Sequence, residues 1–136
     1  MVPRLGGHRA RLWRIAVTTT WVALLRGINV GRNKRIAMSE LRTMLESLGY
    51  TNIRTHLQSG NAIFLAQRRK PESLEQELSV GIKKSFGMDV AVLIRTAAEL
   101  ASVVDANPFA AHGVSAGELH ATFLAAPPPA VRIAAV

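Results

Sequence analysis

The chain has 136 residues, of which 49% are hydrophobic, and this length and composition favour one compact domain with a single core. It contains no cysteine, which excludes disulfides, thiolate metal sites and cysteine nucleophiles and favours a cytoplasmic location. No uninterrupted apolar run reaches about 18 residues, so we expect no membrane partner.

The formal net charge of +8 is unevenly distributed along the chain. Four of the 17 basic residues and none of the 9 acidic residues lie in residues 1–16, which leaves a net charge of +4 for the remainder. A charge of this size is ordinary, so composition alone does not indicate a nucleic-acid-binding protein. We interpret residues 1–16 as a non-native, disordered leader, with translation starting at Val17, rather than as a targeting peptide.

The first half of the chain predicts a strand, a helix and a hairpin. A mostly buried strand is expected over residues 21–28, followed by an amphipathic helix with Ser39 as N-cap and Gly49 as its stop. Residues 52–57 alternate in polarity, and "QSGN" then turns the chain back into "AIFLA". This pattern is typical of a β-hairpin.

The second half continues with alternating helices and strands. Pro71 begins a second helix, residues 90–95 read as a fourth strand, and Thr96 with Glu99 predicts a capping box for a third helix. Residues 118–126, "ELHATFLAA", predict a fifth strand. The order β-α-β-β-α-β predicts an α+β, ferredoxin-like sheet with helices on one face, to which an additional α-β unit is attached.

The stretch "LLRGINVGRNKR" changes within a few residues from a core strand to glycine, asparagine and cations. In a ferredoxin-like sheet, the end of the first strand, the hairpin turn and the start of the first helix share one edge. Helix N–H groups and cations at such an edge can hold a phosphate or carboxylate, oriented by amide side chains. The predicted ligand-binding residues are Arg26, Asn29, Arg32, Lys34, Gln58, Ser59 and Asn61.

A purely structural interpretation of these residues is equally open. Gly27, Gly31 and Gly60 would then serve tight turns, Asn29 and Asn61 would cap backbone groups, and the cations would form a solvated rim. Neither a P-loop nor a dinucleotide-binding fingerprint is present.

Catalytic and metal-binding candidates are few. His56 could act as an acid or base, although a packed or surface histidine is the commoner case. His112 and His120 lack a metal-ligand spacing, so we predict no metal and no cofactor. The function predicted is binding of an anionic partner, which could be phosphate, a nucleotide or a nucleic acid. The alternatives are an enzyme acting on a phosphorylated or nucleotide substrate and a structural or interaction module.

Three segments, "ALLRGINVG", "NKRIAM" and "LRTMLESLGYTNIRTHLQSGNAIF", resemble the bacterial domain of unknown function numbered 1697, in the version common among actinobacteria. The resemblance covers residues 18–126 and implies a ferredoxin-related architecture without a settled activity. His56 stands where many members have tyrosine. The positions that match the family are Arg26, Gly27, Asn29, Gly31, Lys34, Met38, Gln58, Ser59, Gly60 and Asn61.

The resemblance also implies further strands and a closing helix after "HATFLAAPP". We therefore expect residues 17–126 to form a single but incomplete α/β domain, truncated at its C-terminus, and residues 127–136 to be an irregular tail. Apolar surface exposed by the truncation would favour self-association.

Overall fold

A computed structural model of the chain describes residues 17–130, so the predicted leader and residues 131–136 of the predicted tail lie outside the described part. No helix within the described residues is long and apolar enough to cross a membrane. The elements are β1 (Thr18–Leu25), α1 (Met38–Ser47), β2 (Thr51–His56), β3 (Asn61–Gln67), α2 (Pro71–Phe86), β4 (Val92–Thr96), α3 (Ala97–Asp105) and a short 3₁₀ helix (Ala116–Glu118).

The four strands form one antiparallel sheet in the order β2-β3-β1-β4. Ala23 in the middle of β1 lies opposite Ala62 of β3 on one side and Ile94 of β4 on the other. This order is that of a ferredoxin-like fold, so the predicted α+β class is confirmed. Four segments meet at one end of the sheet as a result: the loop after β1, the start of α1, the β2–β3 turn and the α2–β4 loop.

Helices α1 and α2 cover one face of the sheet and form the core with it. Their apolar stripes point inward because leucine and isoleucine recur at helical spacing. The fully buried large side chains of the core include Trp21, Phe64, Leu41, Leu45, Leu74, Leu78, Ile82 and Ile94.

Residues that favour helix starts and stops predict most helix ends correctly. Pro71 occupies the first turn of α2, and Gly87 ends it in the left-handed conformation. Thr96 and Glu99 form the predicted capping box of α3. Ser39 as N-cap of α1 is wrong, because the helix already begins at Met38. The N-cap is Ala37, and the residue before it, Ile36, is held by hydrogen bonds with the Asn29 side chain.

The fifth strand predicted over residues 118–126 is not formed. A new strand beside β4 would need the outward backbone groups of Ile94, but side chains already satisfy them. The Ile94 N–H donates to Glu75 Oε1 at 3.0 Å, and its carbonyl accepts from Arg95 Nη1 at 2.7 Å. The predicted additional α-β unit is therefore reduced to α3 and an irregular segment.

Arg95 also contacts that irregular segment. Its Nη2 donates to the Leu124 carbonyl at 3.0 Å, and its guanidinium lies 5.7 Å from the ring centroid of Phe123. Residues 123–124 therefore attach to the sheet through one side chain rather than through a backbone ladder.

Candidate functional site

The loop between β1 and α1 is cationic and tightly folded. Residues 26–35 contain four cations and no acid. Asn29 and Lys34 adopt the left-handed conformation, with φ of +54° and +52°, and Gly27 and Gly31 do the same. The cationic side chains of the loop, all on exposed residues, are Arg26, Arg32, Lys34 and Arg35.

Asn29 holds this loop closed and joins it to the hairpin. Its Oδ1 accepts from the Ile36 N–H at 2.8 Å, and its Nδ2 donates to the Ile36 carbonyl at 2.8 Å and to the Gln58 carbonyl at 2.7 Å. Its backbone N–H donates to the Lys34 carbonyl at 2.9 Å. Both amide protons are thus used within the protein, which fits a structural role for this side chain.

The hairpin turn packs directly against the same loop. Gly60 has a φ of +93°, and a Cβ placed there would lie 2.6 Å from Ile28 Cδ1 and 2.9 Å from Leu25 Cβ. The Leu25 N–H donates to the Gly60 carbonyl at 2.8 Å. The end of β1 and the turn are therefore in close contact because position 60 carries no side chain.

Asn61 stabilises the turn from within. Its Nδ2 donates to the His56 carbonyl at 3.2 Å and to Ser59 Oγ at 3.3 Å. Gln58 and Ser59 are exposed at the tip. These contacts correspond to the capping role that the structural interpretation assigns to Asn61.

Arg26 and Lys34 come together on the β4 side of the loop, in a cleft of about 540 Å³. Lys34 Nζ donates to the Asp89 carbonyl at 2.7 Å, and Lys83 Nζ donates to Asp89 Oδ2 at 3.0 Å. The Arg26 N–H donates to the Ala91 carbonyl at 2.9 Å. We call this cleft the basic cleft; its lining residues are Arg26, Gly27, Lys34, Ser79, Asp89, Val90 and Ala91.

The predicted site residues thus divide between two sides of β1. Arg26 and Lys34 line the basic cleft beside β4, whereas Gln58, Ser59 and Asn61 belong to the turn beside β1 on its other side. Asn29 bridges the two sides. Arg32 is exposed in the loop and makes no hydrogen bond to residues 17–130. Sequence reasoning missed Ser79 and Asp89, although the position of Asp89 two residues after the Gly87 helix stop places it at this end of a ferredoxin-like sheet.

His56 lies apart from the basic cleft. It ends β2, the strand at the opposite edge of the sheet from β4, and is exposed. Three strand spacings separate the two edges, which corresponds to roughly 14 Å. Its imidazole has no hydrogen-bond partner in the described part of the chain. Residues 17–130 also contain no group of three or more histidine or acidic side chains that could hold a metal ion.

The hydroxyl of Tyr50 has a strongly raised pKa, but Tyr50 lies at the end of the sheet opposite the basic cleft. Burial raises the pKa of its hydroxyl, and the carboxylate of Glu77 raises it further. Arg69 Nη2 donates to the Tyr50 oxygen at 3.3 Å and also pairs with Glu77, and the Tyr50 ring stacks on Phe64 with centroids 4.5 Å apart. The phenol is therefore part of the core packing rather than of the basic cleft.

A family model described as "Protein of unknown function (DUF1697)" matches residues 18–136. The chain belongs to the DUF1697 family. The resemblance carried by the strand motif and the "QSGN" hairpin is thereby confirmed.

One solved structure similar to this DUF1697 chain is that of the conserved bacterial protein SP0830 from Streptococcus pneumoniae, with 25% sequence identity and a TM-score of 0.61. The match covers 68% of this chain and 51% of that one, so this chain spans about half the length of the solved relative. A comparison with curated proteins found no match. These likenesses support the fold and carry no ligand assignment.

Proposed function

We propose that this DUF1697 domain binds a small phosphate-bearing ligand in the basic cleft. The observation that carries the proposal is the convergence of Arg26 and Lys34, from the loop after β1, on the α2–β4 loop that Lys83 also contacts. Cationic N–H donors from the loop after β1 and from the last turn of α2 suit the spread negative charge of a phosphate, because charge-assisted hydrogen bonds are stronger than neutral ones.

Asp89 is the one acid among the described residues that line the basic cleft, and a phosphate-bearing ligand could displace its carboxylate. The Asp89 side chain is 89% exposed, and its carboxylate engages only Lys83 among the described residues. An exposed ion pair of this kind contributes little stability. A phosphate oxygen could therefore replace the carboxylate at Lys83 without disturbing the core.

The backbone of Lys34 supports a functional role for this residue. A left-handed conformation is unfavourable for a side chain with a Cβ by about 1–2 kcal/mol relative to the right-handed one. Glycine would adopt φ of +52° freely, yet a lysine stands here and directs its ammonium group into the basic cleft. Such strain is expected where the function of the lysine side chain, rather than the shape of the loop, is under selection.

A small ligand is favoured over single-stranded nucleic acid as the partner. Sheets that bind single strands present aromatic side chains on which bases stack. The face of this sheet opposite α1 and α2 carries the aliphatic residues Leu24, Ile63 and Leu65 on its two central strands. We also include a cytoplasmic location in the proposal, since the chain lacks cysteine.

No observation favours the enzyme alternative with His56 as acid or base. A catalytic base must come within hydrogen-bonding reach of the reacting group. His56 sits at the opposite sheet edge from β4 and lacks a described partner that would orient its ring. Binding therefore remains the better supported function.

Titration calorimetry with inorganic phosphate, pyrophosphate and adenosine triphosphate tests the proposal with the variant Lys34→Gly. We expect this variant to bind the best of these ligands roughly fivefold more weakly, equivalent to about 1 kcal/mol for one exposed cation. Its unfolding free energy should equal or exceed that of the wild type, because glycine relieves the left-handed strain.

Leu57→Gly is the matched control. Leu57 is 66% exposed with φ of +59°, so glycine relieves the same strain in the hairpin without removing a charge from the basic cleft. Its affinity should equal that of the wild type. Absence of binding by the wild type to all three ligands, or equal weakening by both variants, would count against the basic cleft as a ligand site.

A further inference from the structure

Within residues 17–130, strand β4 forms one edge of the sheet and pairs with β1 alone. Alternate residues of an edge strand direct their backbone N–H and C=O groups away from the sheet, where another strand could pair with them. Arg95 and Leu93 lie opposite Val22 and Leu24 and point their backbone groups toward β1. Ile94, between them, points its backbone groups outward.

Side chains occupy these outward groups. Glu75 of α2 accepts the Ile94 N–H at 3.0 Å, and Arg95 donates to the Ile94 carbonyl at 2.7 Å. The two side chains are 3.9 Å apart and only 26% and 23% exposed, so they hold each other over the strand. Glu99 accepts the N–H of Thr96, the next outward residue, at 2.6 Å. Among the described residues, side chains therefore satisfy the outward N–H groups of Ile94 and Thr96 and the Ile94 carbonyl without a neighbouring strand.

We propose that the outer edge of β4 is a strand-pairing surface for the β4 of a second copy of this chain, and that the Glu75 carboxylate holds it closed. The surface differs from the basic cleft and does not depend on ligand binding there. Loss of the carboxylate leaves the Ile94 N–H unpaired at a sheet edge, and a backbone carbonyl of another strand is the natural replacement.

A second copy fits this edge because the strand is self-complementary. In an antiparallel pair centred on Ile94, the two Ile94 residues face each other and exchange two hydrogen bonds. Each Arg95 then lies opposite Leu93 of the partner strand rather than opposite the other arginine. The sequence "VLIRT" thus meets itself without like charges directly opposed and with β-branched residues that favour pairing.

The test compares Glu75→Ala with Glu75→Gln by sedimentation velocity over a range of protein concentrations and by amide hydrogen exchange at Ile94. Glutamine keeps an oxygen acceptor in reach of the Ile94 N–H, whereas alanine removes it. We expect the wild type and Glu75→Gln to form no dimer through β4 and to protect the Ile94 amide. Glu75→Ala should form dimers as concentration rises, and its Ile94 amide should exchange about tenfold faster or more in dilute solution and regain protection in the dimer.

Four results would overturn the proposal. They are a Glu75→Ala protein that stays monomeric, a dimer in which the Ile94 amide remains unprotected, a wild type whose Ile94 amide exchanges like a free amide, and a wild type that is already paired through β4. If Glu75→Ala does not fold, Glu75→Ser takes its place, because serine stays polar at the helix surface but is too short to reach the strand.

Discussion

Gly60 illustrates how one residue joins two loops at the end of the sheet that holds the basic cleft. We predict that Gly60→Ala lowers the unfolding free energy by about 2–4 kcal/mol, because the new Cβ combines overpacking with an unfavourable positive φ. The contacts it would meet are Ile28 Cδ1 at 2.6 Å and Leu25 Cβ at 2.9 Å. Denaturant unfolding measures the loss.

Gly31→Ala is the matched control for this substitution. Its φ of +68° is also left-handed, but apart from its chain neighbours no atom of residues 17–130 lies within 4 Å of the added Cβ. Gly31→Ala should therefore lower the unfolding free energy only by the cost of the left-handed backbone, about 1–2 kcal/mol. Equal losses at both positions would mean that contact between the turn and the end of β1 contributes nothing.

Tyr50 is a single residue whose ionisation should make the stability of the protein depend on pH. Its pKa is raised above the ordinary value of 10.0 by burial and by Glu77, so folding favours the protonated phenol. The resulting stability is fully present below about pH 10 and is lost as the pH rises toward the folded-state pKa. Because Tyr50 is the only tyrosine, ultraviolet absorbance of the phenolate reports this group alone.

We expect phenolate formation in the native protein to begin well above pH 10 and to accompany loss of stability. Tyr50→Phe removes this component, so its unfolding free energy should decline less steeply over the same alkaline range. A native-state titration near the ordinary tyrosine pKa would contradict the buried environment described here.

At the scale of elements, α2 and α3 differ sharply in how firmly they are held. Helix α2 fully buries Leu74, Leu78 and Ile82, whereas α3 has no buried residue and relies on its capping box. We predict that Leu78→Ala destabilises the protein by about 2–5 kcal/mol. Val103→Ala in α3, at a side chain 40% exposed, should have an effect of under about 1 kcal/mol.

Amide hydrogen exchange gives an independent measure of the same difference. The amides of α3 should exchange through local opening at a lower free energy than those of α2, because few buried contacts are lost when α3 opens. Exchange of both helices only through global unfolding would show that α3 is part of the core.

At the scale of the whole molecule, the question is whether net charge alone attracts an anion. Lys34→Gly and Lys70→Gln each remove one positive charge, but Lys70 lies at the N-terminus of α2, at the end of the helix opposite the basic cleft. The 16 residues of α2 span about 24 Å, which exceeds the Debye length of about 10 Å at 0.1 M salt. We predict that in 0.1 M salt only Lys34→Gly weakens ligand binding in calorimetric titration. Equal weakening would indicate non-specific attraction to a cationic protein.

The sequence alone determined the fold class and most helix ends, whereas β1 lies three residues earlier than expected, at Thr18–Leu25. Local rules act over a few residues: Pro71 begins a helix, Gly87 ends it, and Thr96 with Glu99 caps the next. Alternation and helical spacing then specify which faces are apolar, and the order of elements leaves few topologies open. The cationic loop after β1 was also visible, because its composition changes abruptly.

Tertiary structure alone decided how that loop is used and where the sheet ends. Asn29 meets Gln58, and Lys34 meets Asp89, across separations of 29 and 55 residues. The bond from Ile94 to Glu75 spans 19 residues, and with Arg95 it occupies the edge where a fifth strand was expected. No local pattern specifies such pairs, because a side chain that satisfies a distant backbone group is selected by the folded geometry and not by its neighbours in sequence.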